Sequence, residues 1–198
     1  MIKKVLLASL LAVPALASAQ GGVYFTAGLA TGSADLENIE ASYGGTPTTS
    51  DDDVLRAVIG IGAQLSDYLG VEGTYHSNVE NTVKGGAGVD TLEHQGVQLA
   101  VLGRAPLAPQ FAVVGKLSAN LMNTEYDYSV GGSQVYAEDT TGAYLGMGVG
   151  AEFRANDQVA LRLMAERIML NDIIDEDFLG EPGDVDVDQV TLSLNFQF

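Results

Sequence analysis

The sequence lacks cysteine and tryptophan entirely, and basic residues are scarce among its 198 positions. Without cysteine no disulfide can hold the fold together, so stability must come from packing, strand pairing or a membrane environment. The nine Lys and Arg residues are outnumbered by 26 Asp and Glu residues, and this excludes the basic footprint that nucleic acid requires. The acidic balance instead favours cations or basic partners.

Long apolar runs are also missing, apart from a short one at the start of the chain. Lys3-Lys4 precede an apolar stretch over 5–15, and the small residues that follow indicate cleavage after Ala19. We therefore predict a signal peptide over 1–19 and a single domain over 20–198. A transmembrane helix is the alternative for the first segment, but the apolar run is too short, and no run of 18 apolar residues follows it.

Alternation between apolar and polar residues dominates the rest of the chain and is clearest at 143–154 and 159–166. The odd positions there are all apolar, whereas the even positions are mostly glycine, polar or charged. A period of two indicates β-strands, since successive side chains of a strand point to opposite faces. A turn at 156–158 joins the two strands and places Glu152 directly opposite Arg162.

The same pattern predicts eight strands joined alternately by short turns and long loops. The strands lie at 23–30, 55–65, 69–78, 97–104, 111–124, 143–154, 159–166 and 190–198. The short turns lie at 66–68, 106–110 and 155–158, and the long loops at 33–53, 81–93, 129–139 and 171–186. This organisation predicts an all-β fold, an eight-stranded antiparallel up-and-down transmembrane β-barrel of the bacterial outer membrane.

A soluble eight-stranded barrel of the lipocalin type is the alternative, and the two folds differ in which face points inward. The soluble barrel would crowd large aliphatic side chains inside and would leave few charges on its outer wall. The membrane barrel places the apolar face against lipid, with the glycines and charges in the lumen. Without tryptophan, its aromatic girdles would consist of Phe25, Tyr68, Tyr75, Phe111, Phe153, Phe196 and Phe198.

The chain resembles the membrane domain of outer membrane protein A and its eight-stranded relatives over nearly all of residues 20–198. The resemblance is strongest at 70–75, 96–99, 111–117 and 150–163. The resemblance implies an outer-membrane barrel that folds from the periplasm. Phe196 and the terminal Phe198 resemble the signal by which the barrel-assembly machinery recognises its clients. Full-length family members add a peptidoglycan-binding domain, which is not expected here because the sequence ends at Phe198.

The resemblance also implies a cluster of charges in the lumen. Its acidic and basic positions fall on Glu72, Lys116, Glu152 and Arg162, whereas a further family lysine falls on Leu102. The residues alone support one pair of this cluster, because facing side chains lie about 4.5–5.5 Å apart at Cβ. The lumen of an eight-stranded barrel is only wide enough to be filled by side chains. The cluster is therefore either a structural brace or the gate of a narrow pore.

The two histidines, His76 and His94, invite comparison with outer-membrane hydrolases. A serine hydrolase needs a serine, a histidine and a carboxylate in contact. His76 is predicted to point inward and its neighbour Ser77 outward, and no nucleophile motif surrounds either histidine. We therefore expect no catalytic residues and no enzymatic activity.

The most acidic stretch lies near the end of the chain, where Asp184, Asp186 and Asp188 alternate. In a strand these three carboxylates share one face, and calcium takes six to eight oxygen ligands. A surface calcium site, joined by 51–53 of the first long loop, is therefore one hypothesis. A solvated acidic rim is the simpler one, since runs of charge are usually solvated. No other cofactor is expected.

These features predict a small integral outer-membrane protein with a role in envelope integrity or surface interaction, which displays acidic loops outside the cell. The expected partners are outer-membrane lipid, the barrel-assembly machinery during biogenesis, and surface polysaccharide or surface-layer material. A narrow pore of low conductance, gated by the charge cluster, is the first alternative. A lipid-modifying enzyme is the second.

Overall fold

The computed structural model describes residues 22–34, 49–50, 54–85, 88–174 and 183–198. The predicted signal peptide and the acidic residues 51–53 lie outside these ranges. Within them, no helix is long and apolar enough to span a membrane.

The described residues form antiparallel β-strands that close into a ring of eight. The strands are β1 Val23–Ala34, β2 Thr49–Ser50, β3 Val54–Gln64, β4 Leu69–Gly85, β5 Gly88–Ala108, β6 Phe111–Val130, β7 Ser133–Arg154, β8 Val159–Ile174 and β9 Gly183–Gln197. The ring contains β1 and β3 to β9, each paired with its neighbours along the chain, and β1 pairs with β9 to close it. The two-residue β2 pairs with the end of β4. The predicted eight-stranded antiparallel fold is confirmed.

Apolar and polar residues separate to opposite faces of this ring, as the alternation predicts. The pattern on β6 is regular from Phe111 to Met122, with every odd residue exposed and every even residue buried. The outward apolar side chains form a continuous surface that we call the apolar belt. It includes Leu29, Leu55, Ile59, Leu99, Val101, Leu117, Leu121, Leu145, Met147, Val149, Leu161, Leu163, Val190, Leu192 and Leu194. A barrel with an apolar outer wall and a polar interior suits lipid, so the lipocalin-like alternative is wrong.

Phenylalanines gather on the outer wall near the end of the barrel that holds the short turns. Phe25 pairs with Phe196 across β1 and β9, and Phe111 pairs with Phe153 across β6 and β7. The rings of Phe111 and Phe153 lie 4.9 Å apart between centroids. All four side chains are exposed on the outer face, so phenylalanine supplies an aromatic girdle at this end of the belt.

Two of the four predicted long loops are wrong. Residues 81–93 and 129–139 lie almost entirely in paired strands, which extend the β4–β5 and β6–β7 hairpins well beyond the belt. The second hairpin turns at Gly131 and Gly132, whose φ angles of 59° and 81° suit a two-residue turn. Glycine and acid suggested loops there, but the interspersed Tyr, Thr and Val residues fit a pleated ladder.

The remaining connections are close to prediction where they are described. β5 continues past Pro106 to Ala108 with a shift of register, because proline has no N–H to donate to the ladder. The turn between β5 and β6 is therefore shorter than predicted. The loops predicted at 33–53 and 171–186 lie partly outside the described residues, although β8 extends to Ile174 and β9 begins at Gly183.

Candidate functional site

The lumen contains a buried group of charged side chains at the level of the apolar belt, centred on Arg162 of β8. Its Nη1 donates to Glu72 Oε2 of β4 at 2.7 Å, and its Nε and Nη2 donate to Glu152 Oε2 of β7 at 3.1 and 3.0 Å. Arg104 of β5 binds the second oxygen of Glu152. The Tyr24 hydroxyl donates to Glu72 Oε2 at 2.9 Å. We call these five residues the Arg162 cluster.

The ion pair between Arg162 and Glu72 spans the barrel. β8 and β4 are four strands apart in either direction around the ring, so these side chains meet from opposite walls. Both side chains are only 5% exposed. The Arg162 guanidinium also lies 5.6 Å from the centre of the Tyr24 ring, within the range of a cation–π contact. The cluster therefore ties five strands together across the lumen.

A second buried group lies farther from the short turns and is centred on Glu166 of β8. Lys116 donates to Glu166 Oε2 at 3.0 Å and Gln189 donates to the same oxygen at 3.1 Å. Gln98 and Ser118 donate to Glu166 Oε1 at 2.6 and 3.0 Å. We call these residues the Glu166 cluster. Its single carboxylate accepts from four donors on three strands, β5, β6 and β9, and this satisfies a charge that water does not reach.

The structure therefore brings together three of the four residues predicted for the lumen cluster. Glu72, Glu152 and Arg162 are in direct contact, and the predicted register that places Glu152 opposite Arg162 is confirmed. Lys116 is also inside, but its ion-pair partner is Glu166. The role of these charges, brace or gate, stays a prediction.

Sequence reasoning missed Tyr24, Arg104 and Glu166 as members of these clusters. The signal was present, because all three share the inward parity of their strands. The alternation of inward and outward residues along a strand does not predict which inward side chain is paired with which across the lumen. Arg104 and Glu152 come from strands that are not neighbours, so no pairing rule between adjacent strands relates them.

Glycines on the inner face of β7 make room for the two clusters. A Cβ at Gly148 would lie 2.9 Å from the Ala165 carbonyl oxygen, and one at Gly150 would overlap the carbonyl of Leu163. Neighbouring β8 carries the large inward side chains Arg162 and Glu166. Strand β7 can therefore approach β8 closely while the lumen holds these long side chains.

The acidic residues near the end of the chain have a basic neighbour. Arg167 of β8 forms ion pairs with Asp186 at 3.4 Å and with Asp188, all on the outer face beyond the apolar belt. Asp184 lies on β9, and its side chain is outside the described set. Among the residues that the structure describes, no three His, Cys, Asp or Glu side chains are placed to hold a metal ion. The calcium site stays a prediction, and Arg167 competes for two of its three carboxylates.

The remaining predicted residues occupy the positions that parity assigns. His76 and His94 are buried in the lumen, whereas Ser77 accepts a hydrogen bond from the backbone of Ala57. Phe196 lies on the outer wall, and the backbone N–H of Phe198 donates to the Val23 carbonyl at 2.9 Å. The assembly signal at these two phenylalanines stays a prediction.

A closed ring with an apolar outer wall and a lumen crossed by ion pairs defines the class: a small transmembrane β-barrel with a filled interior. The chain belongs to the outer membrane protein β-barrel domain family, whose family model matches residues 5–198. The family places the protein in the bacterial outer membrane. This confirms the predicted location and the predicted resemblance to outer-membrane barrels.

Solved structures of other outer-membrane barrels share the fold at low sequence identity. Ail, the attachment invasion locus protein of Yersinia pestis, is 14% identical with a TM-score of 0.56, over 90% of this chain and 99% of Ail. OprG from Pseudomonas aeruginosa is 15% identical with a TM-score of 0.54, over 91% and 97% of the two chains. Neisserial surface protein A is 16% identical with a TM-score of 0.53, over 89% and 97%. No protein of curated function matches the sequence significantly.

Proposed function

We propose that the protein is a non-conducting structural barrel that contributes to envelope integrity and presents acidic hairpins at the cell surface. The observation that carries this proposal is the ion pair between Arg162 and Glu72, which joins opposite walls of the barrel. Two further ion pairs, Arg104–Glu152 and Lys116–Glu166, cross the lumen in the same region. The cavity that borders Arg162 itself has a volume of about 30 Å³, whereas a cavity of about 360 Å³ lies at the short-turn end beside Arg104 and Glu152. The smaller cavity is room for a few waters, so the lumen is narrowest at the level of Arg162.

The surface part of the proposal is supported by the charge of the extended hairpins. Beyond the belt, the described part of β4 to β7 carries Glu80, Glu93, Glu125, Asp127, Glu138 and Asp139. We propose that these hairpins face outward from the cell and contact surface polysaccharide or surface-layer material. Outer-membrane lipid would cover the apolar belt, and the assembly machinery would recognise Phe196 and Phe198. Surface calcium is not part of the proposal, since Arg167 occupies Asp186 and Asp188.

A narrow pore is the second candidate, because many polar and charged side chains line the interior beside apolar ones such as Leu102 and Val114. Planar-bilayer recording separates the two. We expect the purified barrel to show no reproducible unitary currents, since its ion pairs close the lumen. Reproducible unitary currents that change with Glu152→Gln, but not with the exposed control Glu125→Gln, would establish the pore and overturn the structural proposal.

Envelope integrity is tested in the native host. A strain without the gene should take up a membrane-impermeant dye faster, and expression of the unchanged protein should restore the barrier. If the barrier is unaffected, the envelope role is wrong. Lipid hydrolysis by the purified protein that is lost in His76→Gln or His94→Gln would instead favour an enzyme.

A further inference from the structure

A third group of polar side chains lines the lumen on the side of the extended hairpins. It consists of Arg56, His76, His94 and Thr124, which lie on the consecutive ring strands β3, β4, β5 and β6. We call these four residues the histidine arc. All four are buried, with exposed fractions between 1% and 4%. Neither ion-pair cluster contains any of them.

Strand register places the four side chains next to one another. His76 pairs with Val58 of β3, and Arg56 follows two residues along on the same face. His76 also pairs with Gly96 of β5. His94 lies two residues before Gly96 on the same face, opposite Val79 and just past a shift of register in the β4–β5 pairing. Thr124 of β6 lies directly opposite His94. Arg56 and His94 are both close enough to His76 to act on it electrostatically.

Each member of the histidine arc has a buried polar atom that finds no hydrogen-bond partner among the residues that the structure describes. These atoms are Nη1 of Arg56, Nδ1 of His76, both ring nitrogens of His94 and Oγ1 of Thr124. Native proteins rarely leave such groups unpaired, and several together at one place indicate an absent partner. The three nitrogen-bearing side chains can all donate, and the hydroxyl can donate as well.

Charge decides what kind of partner fits. Glu166 is the carboxylate that acts electrostatically on Arg56, but four other donors already occupy it. Within the described part of the chain, the buried Arg56 charge therefore has no direct counter-ion. A metal cation would be repelled by Arg56. A water molecule would accept hydrogen bonds but would not compensate the Arg56 charge. An anion would accept the hydrogen bonds and also compensate the charge.

We propose that the histidine arc binds a small inorganic oxyanion such as phosphate inside the barrel. The Arg56 guanidinium would present its N–H groups to the oxygens, which is the pairing that arginine makes best. His76 would donate through Nδ1–H, in the tautomer whose Nε2 accepts from the Thr74 hydroxyl 3.2 Å away. The imidazole of His94 and the hydroxyl of Thr124 would donate to the remaining oxygens. Burial would strengthen each of these bonds by excluding competing water.

Calorimetric titration of the refolded barrel with inorganic phosphate at constant ionic strength tests the proposal. We expect saturable binding at one site. Arg56→Gln and His94→Gln should each weaken it at least about tenfold, which corresponds to about 1.4 kcal/mol. Arg154→Gln is the matched control, because it removes an arginine from the lumen-side face of β7 near the short turns, and it should leave the affinity unchanged.

A second measurement does not depend on any variant folding: nitrogen NMR of the unchanged protein should show the ring signals of both histidines shifting with phosphate. A third variant, Thr124→Val, replaces the hydroxyl with a methyl group of similar size and should reduce the affinity. Absence of saturable binding together with unchanged histidine signals would mean that water alone fills the arc. Equal affinity in Arg56→Gln and the unchanged protein would place the anion elsewhere. Either result overturns the proposal.

Discussion

At the scale of single residues, Arg162 shows how a charge is stabilised inside this barrel. A guanidinium cut off from water is costly unless carboxylates and hydrogen bonds compensate it. Arg162 meets two carboxylates, Glu72 and Glu152, and lies against the ring of Tyr24. These partners lie on three different strands. Removal of either carboxylate leaves the Arg162 charge only partly compensated in surroundings of low dielectric constant.

Glu72→Gln should therefore destabilise the barrel strongly. It removes the charge that faces Arg162 across the lumen while preserving shape, and loss of one partner of a buried ion pair costs about 3–5 kcal/mol. Urea unfolding of the barrel in lipid vesicles measures the loss. Glu125→Gln changes an exposed glutamate on β6 and should have little effect. Similar losses in the two variants would show that the ion pair is not a brace.

Among the strands, β7 shows how the residues on each face fit their surroundings, which are lipid outside the barrel and the long side chains of β8 inside it. Its outer face carries Leu145, Met147 and Val149 of the apolar belt, and its inner face carries a row of glycines. The row is needed because β8 supplies long inward side chains at the same level. A glycine on the outer wall has no such role: a Cβ at Gly103 would meet nothing within 4 Å.

Gly150→Ala should consequently destabilise the protein, whereas Gly103→Ala should not. The added Cβ at Gly150 would overlap the Leu163 carbonyl and crowd Met164, and overpacking of this kind costs about 1–3 kcal/mol. The same vesicle unfolding measurement compares the two variants. If Gly103→Ala proved as harmful as Gly150→Ala, a general effect of glycine substitution in strands would explain both, and the crowding explanation would be wrong.

In the molecule as a whole, closure of the ring pairs each of the eight long strands on both sides at the level of the apolar belt. Backbone groups inside a membrane must find partners within the protein, and a closed barrel satisfies them between strands. The pairing of β1 with β9, over Tyr24 to Ala34, joins the first and last described strands and completes this. The ion pairs then connect walls that the backbone ladder does not.

Such a closed barrel should resist unfolding by detergent at room temperature. We expect the purified protein to migrate differently in detergent gels before and after boiling, because the unheated barrel stays compact. Glu72→Gln should lose this difference at a lower temperature than the unchanged protein. A protein that is freely soluble without detergent and shows no heat-dependent shift would contradict the membrane-barrel fold.

The local alternation of side chains was enough to predict much of this molecule. A period of two defined the inner and outer faces, and a short turn fixed Glu152 opposite Arg162, because adjacent strands have a simple register. The turn at Gly131 and Gly132 was missed because the polar residues around it resemble a loop, although they pair as a ladder.

Contacts across the lumen could not be predicted in the same way. Glu72 and Arg162 are 90 residues apart on opposite walls, and Lys116 could have joined either carboxylate group by parity alone. Which side chains enter the lumen follows from the sequence, since that depends on the two-residue repeat of each strand. Which of them meet depends on the assembled barrel, because the stagger and closure of all eight strands set their heights inside it.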